Sequence, residues 1–80
     1  LFKNPPDNYA AKLIESVGGK GMQFGGMEIS PSHANFAINT RGGTASDVVD
    51  LINTIKMLVQ DNHNIELELE LQLLGFNDEI

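Results

Sequence analysis

The run from Gly25 to Ile52, GGMEISPSHANFAINTRGGTASDVVDLI, constrains this chain more than any other stretch. It joins a glycine pair, a polar turn, an apolar alternation, a second glycine pair and the capped start of a helix. Gly25-Gly26 permits a bend or bulge between two short alternating segments, Met22–Phe24 and Met27–Ile29. Ser30-Pro31-Ser32 reads as a turn. From Ala34 to Thr40, Ala34, Phe36 and Ile38 alternate with Asn35, Ala37 and Asn39, which predicts a strand whose first set faces the core. Arg41-Gly42-Gly43 turns the chain again. Thr44 then suits an N-cap, and Asp47 sits where a capping-box acid would, at the positive end of the helix dipole. Val48, Val49, Ile52, Ile55 and Val59 supply the apolar stripe, Leu51 and Leu58 widen it, and the helix is expected to end near Asp61-Asn62.

The flanks support that unit. Leu1 to Asn4 reads as the tail of a strand arriving from outside the sequence. Pro5-Pro6 stops it, since neither proline can donate to a ladder. Asp7 or Asn8 is the expected cap of a first helix carrying Ala10, Leu13, Ile14 and Val17, and Gly18-Gly19 closes it. At the other end Ile65, Leu67, Leu69, Leu71 and Leu73 alternate with Glu66, Glu68, Glu70 and Gln72, predicting a strand from Ile65 to Leu74. Gly75 ends it, and residues 76–80 form a polar tail. The expected fold is α+β: a small single domain over residues 1–80, with two helices packed on one face of a mostly antiparallel sheet of about four strands.

Composition excludes several classes. Eighty residues allow one small domain, and with no cysteine there is no disulfide, thiolate metal site or cysteine nucleophile. Such unstapled domains often lean on a neighbour, so the chain is expected to be part of something larger. A net charge of −6 with only five Lys and Arg argues against nucleic acid and against anionic membranes. No apolar run reaches the ~20 residues that cross a bilayer, and LFKNPPDNY lacks the apolar core of a signal peptide. A soluble, reducing compartment is the expectation.

The chemistry-bearing residues are few. Gly18-Gly19-Lys20-Gly21 invites a phosphate-loop reading, but it fits neither glycine motif and follows a helix instead of opening one. His63 lies in a polar turn between Asn62 and Asn64 and reads as solvent-exposed; with so few further ligands, no metal site is expected. His33 stands at a turn-to-strand junction, where a ligand-facing role and a local backbone hydrogen bond both remain open. Glu66, Glu68 and Glu70 project from one strand face, ~7 Å between alternate residues. They form either a solvated acidic face or a face from which one carboxyl enters a cleft, where burial and like charge would raise its pKa.

Taken together, Gly25-Gly26, Ile29-Ser30, His33-Ala34-Asn35-Phe36, Asn39, Thr44-Ala45, Asp47-Val48 and Leu51-Ile52 resemble the C-terminal domain of the UDP-N-acetylenolpyruvoylglucosamine reductase (MurB) family. Phe2-Lys3-Asn4-Pro5, Lys12-Leu13-Ile14-Glu15 and Lys20-Gly21 upstream fit the same pattern. So do Glu66-Leu67-Glu68, Glu70 and Leu74-Gly75 downstream. The resemblance implies a C-terminal, substrate-binding domain of a larger FAD-dependent reductase of peptidoglycan precursor synthesis. In that family NADPH reduces FAD, and the reduced flavin reduces UDP-GlcNAc-enolpyruvate. The flavin-binding domains lie upstream and are absent here; the implied setting is a bacterial cytoplasm, or a plastid stroma in a plant.

Residue by residue, Glu70 matches the catalytic glutamate that assists at the enolate. Asn4 matches a contact to the nucleotide part of the substrate, His33 a position that reaches substrate, and Lys3 a basic phosphate neighbour. The catalytic serine falls immediately before Leu1. No residue of this chain is implied as a cofactor or metal ligand. Leu69 and Gln72 depart from the family's usual proline and arginine on either side of Glu70, and loss of that arginine alters the field at Glu70. Two rivals remain: a stand-alone, non-catalytic binding or dimerisation module on the same scaffold, and an acidic surface binding cations through Glu66, Glu68 and Glu70. A strand face offers the latter few convergent oxygens.

Overall fold

The computed structural model describes residues 1–70 of the chain. It contains α1 (Ala10–Ser16), β1 (Gln23–Phe24), β2 (Met27–Ile29), β3 (Ala37–Asn39) and α2 (Ala45–His63). The strands form an antiparallel sheet in the order β1-β2-β3, with Phe24 opposite Met27 and Ile29 opposite Ala37. α2 packs on β1 and β2, and α1 packs on α2. This is the expected α+β class.

Gly25-Gly26 makes a tight hairpin turn between β1 and β2, with Gly25 at φ +59°. That value suits glycine at the first central position of a type II′ turn. Gly26 has no room for a side chain: a Cβ there would lie 2.4 Å from the Gly43 backbone nitrogen. The two glycine pairs of the sequence therefore lie one against the other.

The core draws on both helices, β2 and both flanks of the described residues. Val48, Leu51, Ile52, Ile55 and Val59 line one side of α2; Leu13 and Ile14 of α1, Met27 and Ile29 of β2, and Phe2 and Leu67 from the two flanks meet them. Val49 is exposed, because one helical step turns it roughly 100° from Val48. α2 begins on a complete capping box: Thr44 Oγ1 accepts from Asp47 N–H, and Asp47 Oδ2 accepts from Thr44 N–H. It runs to His63, slightly past the expected end, and stops at Asn64 in the left-handed conformation.

Two expectations need correction. The predicted strand from Ala34 to Thr40 is shorter, and its faces are reversed after Ala34. A turn closed by Phe36 N–H to His33 C=O (3.0 Å) occupies its first residues. Beyond that turn the register with Ile29 puts Ala37 inward, leaving Phe36 57% and Ile38 40% exposed. The cap of α1 is supplied by neither Asp7 nor Asn8. The turn closed by Asn8 N–H to Pro5 C=O folds the chain back, so Asn4 Oδ1 accepts from Ala10 N–H at 2.9 Å. The sheet has three strands among the described residues, compatible with the expected sheet of about four. Within 65–70 only Leu69 makes a bridge, antiparallel to Phe2. The rest of the predicted last strand, with Gln72, Gly75 and the tail, lies outside the described residues.

Candidate functional site

The N-terminal segment Leu1–Lys3 lies extended between two partners. One edge pairs with the C-terminal flank: Lys3 N–H donates to Glu68 C=O (2.8 Å) and Glu70 N–H to Leu1 C=O (3.1 Å), on either side of the Phe2–Leu69 bridge. The other edge meets the turn before β3. Phe2 N–H donates to Asn35 Oδ1 and Asn35 Nδ2 donates to Phe2 C=O, both at 2.9 Å. The Leu1 N–H donates to Asn35 C=O at 2.9 Å. Buried Phe2 anchors the segment in the core.

This arrangement gathers residues that are far apart in sequence. Lys3 and Glu70 are exposed on the paired segments, and His33 is exposed in the turn whose Asn35 grips Phe2. The His33 backbone N–H donates to Ser30 Oγ at 3.2 Å, and its ring lies 5.3 Å from that of Phe36 at 55°. The local backbone hydrogen bond is thus present, and the imidazole is left facing solvent. Asn4 continues from Lys3, but its carbonyl oxygen is engaged in capping α1. The residue is exposed. Glu66, Glu68 and Glu70 are all exposed, and none of them is sunk in a cleft; Leu67 is buried but Leu69 is exposed, so the alternation holds only around Leu67.

Two residues escaped sequence reasoning. Asn35 reads there as one polar residue of an alternation; only the tertiary fold brings it to Phe2. Ser30, buried, accepts from the Ser32 and His33 backbones and so fixes the turn. The Ser-Pro-Ser run signals such a turn but not which hydroxyl closes it.

The turn before α2 looks more like an anion site and is not one. Helix N-termini with glycine loops attract phosphate, and Gly42-Gly43 precede α2. Here Asp47 fills that place. Its Oδ2 accepts from Thr44 N–H (3.0 Å) and Gly26 N–H (3.1 Å), bonds that hold its carboxyl below the usual range. Gly18-Gly19-Lys20-Gly21 trails α1, with Gly18 at φ +79°. Neither segment has the form of a dinucleotide cradle. Among them no cluster of His, Asp and Glu could hold a metal, and no helix is long and apolar enough to cross a membrane.

Compared with known families, residues 1–74 match the model described as UDP-N-acetylenolpyruvoylglucosamine reductase, C-terminal domain. Among curated relatives, the UDP-N-acetylenolpyruvoylglucosamine reductase of Moorella thermoacetica is 48% identical over 75 residues, covering 94% of this chain and 25% of the relative. That of Prochlorococcus marinus subsp. pastoris is 46% identical over 77 residues, 96% of this chain and 26% of the relative. The Bacillus subtilis protein of the same name is 40% identical over 77 residues, 96% of this chain and 25% of its own length. The chain therefore spans about a quarter of the length of the relatives it matches.

Proposed function

Because the chain belongs to the UDP-N-acetylenolpyruvoylglucosamine reductase family, matching its C-terminal domain, we propose that it is the substrate-binding part of a UDP-N-acetylmuramate dehydrogenase. In this reading the whole protein reduces UDP-GlcNAc-enolpyruvate for peptidoglycan precursor synthesis, in the cytoplasm or, in a plant, the plastid stroma. FAD and NADPH supply the reducing chemistry and belong to flavin-binding domains of the same polypeptide. This chain's task is to hold substrate and to manage charge at the carbon beside its carboxylate.

One observation carries the proposal: the antiparallel pairing of Leu1–Lys3 with Glu68–Glu70 beside the His33–Asn35 turn. It gathers the residues that the resemblance assigns to substrate. Lys3 offers an exposed cation for a phosphate, Asn4 its free side-chain NH₂ for the nucleotide, and His33 an exposed ring. Glu70 stands opposite Leu1, so a serine preceding Leu1 would approach the last strand near Glu70. There the serine would protonate the enolate while Glu70 assists, in the manner of a positioned acid–base pair. Leu69 in place of proline leaves the backbone N–H to be used or not; Glu70 and Lys3, not residue 69, supply the N–H groups of the pairing. That departure is compatible with the scaffold.

The test is the full-length protein. It should purify with a flavin absorbance band and oxidise NADPH in the presence of UDP-GlcNAc-enolpyruvate. A full-length product without flavin would overturn the reading.

A further inference from the structure

We propose that Asn35 is a positioning residue: its carboxamide takes the place of a neighbouring β-strand and fixes Leu1–Lys3 in register against Glu68–Glu70. In an extended segment, alternate residues direct their N–H and C=O groups to opposite edges. Leu1 C=O and Lys3 N–H point toward Glu70 and Glu68. Phe2 N–H and C=O point the other way, and a buried peptide group needs partners. No strand lies there among the described residues. Instead the Asn35 carboxamide donates to Phe2 C=O and accepts from Phe2 N–H, both at 2.9 Å, and its own C=O takes the Leu1 N–H.

At neutral pH the Asn35 amide offers one donor and one acceptor side by side, which a carboxylate of the same shape does not. Asn35 is itself held, because Phe36 N–H closes the turn on His33 and Ser30 Oγ secures the His33 backbone. The clasp thus ties the turn bearing His33 to the segment bearing Lys3 and, through it, to Glu70. A slip of this segment would move Lys3 relative to Glu70 without unfolding α2 or the hairpin.

Hydrogen exchange and kinetics on the full-length protein test this; the kinetic arm rests on the function proposed above, and the exchange arm does not. In Asn35→Ala, protection of the Phe2 amide should fall about tenfold, as loss of its partner would produce, while α2 amides such as Ile55 keep theirs. Turnover of the enolpyruvyl substrate should fall about a hundredfold, the scale of a small misplacement, with flavin reduction by NADPH unchanged. Asn35→Asp supplies a second handle. Its carboxylate faces Phe2 C=O without a donor, whereas the protonated acid has the amide's shape and polarity. Phe2 protection should therefore be low at neutral pH and recover toward wild type as the carboxyl protonates below about pH 4–5. Wild type measured alongside accounts for Lys3, His33, Glu68 and Glu70 on the packed segments. Unchanged Phe2 protection in Asn35→Ala, uniform loss of protection across the domain, or no acid recovery in Asn35→Asp would overturn the proposal. Absence of all reductase activity in the wild-type protein would count against the function, and the Phe2 exchange would still decide the role of Asn35.

Discussion

Two polar side chains each tie together distant backbone in this domain, and they do so for different ends. At one end Asp47 joins the cap of α2 to the β1–β2 turn through Thr44 N–H and Gly26 N–H. At the other Asn35 joins the turn before β3 to Phe2. The Asp47 tie sits among glycines packed backbone to backbone and closes off an inviting anion site. The Asn35 tie leaves Lys3, His33 and Glu70 exposed around it. A carboxylate is used where only N–H groups need an acceptor; an amide is used where a donor and an acceptor are both needed. The first tie serves the fold; the second is the one around which the residues proposed to meet substrate are exposed.

The sharpest way to break this division is Glu70→Gln in the full-length protein. Reduction of the enolpyruvyl substrate should slow by about 10²–10⁴-fold, the range of positioned acid–base groups, with NADPH reduction of FAD intact in stopped flow. Glu66→Gln and Glu68→Gln should do much less. Equal slowing of both half-reactions would assign Glu70 to folding instead.

At the Asp47 end the effects should be on stability alone. Gly26→Ala forces a Cβ onto the Gly43 backbone and should cost about 1–3 kcal/mol, read as a lower urea midpoint with unchanged substrate affinity. Asp47→Asn should also lower the midpoint, by less, and flatten its acid dependence. The sign follows from the lowered folded-state pKa of Asp47: its contribution is full above the ordinary carboxyl value of 3.8 and is lost as pH falls through the lowered one. A midpoint of Asp47→Asn that tracked wild type into acid would remove Asp47 from this role. The smallest effect belongs to His63. Ser16 Oγ donates to Leu13 C=O and so accepts from His63 Nε2 at 2.7 Å, in the open. His63→Ala should shift stability by under about 0.5 kcal/mol and leave activity alone.

The same contrast explains what could be read from the sequence. Thr44 and Asp47 are three residues apart, and a capping box is a local pattern, so the start of α2 was legible. The two helices were legible for the same reason, whereas at Gly25-Gly26 the sequence offered a bend or bulge, and the pairing of Phe24 with Met27 makes it a hairpin turn. The faces of β3 were not, because a turn inside the alternation shifted its parity and only pairing with β2 fixes Ala37 inward. The Asn4 cap and the Asn35 clasp depend on folded-back chain, and neither leaves a local signature. Resemblance to a family marked Lys3, Asn4, His33 and Glu70; the tie that brings their segments together required the fold.

The most direct measurement of which end meets the substrate is an amide-shift titration of the labelled full-length protein with UDP-GlcNAc. The account predicts shifts clustered at Lys3, Asn4 and His33, with Gly26, Gly43 and Thr44 unmoved. Shifts centred on Gly42–Asp47, or none at millimolar ligand, would contradict it.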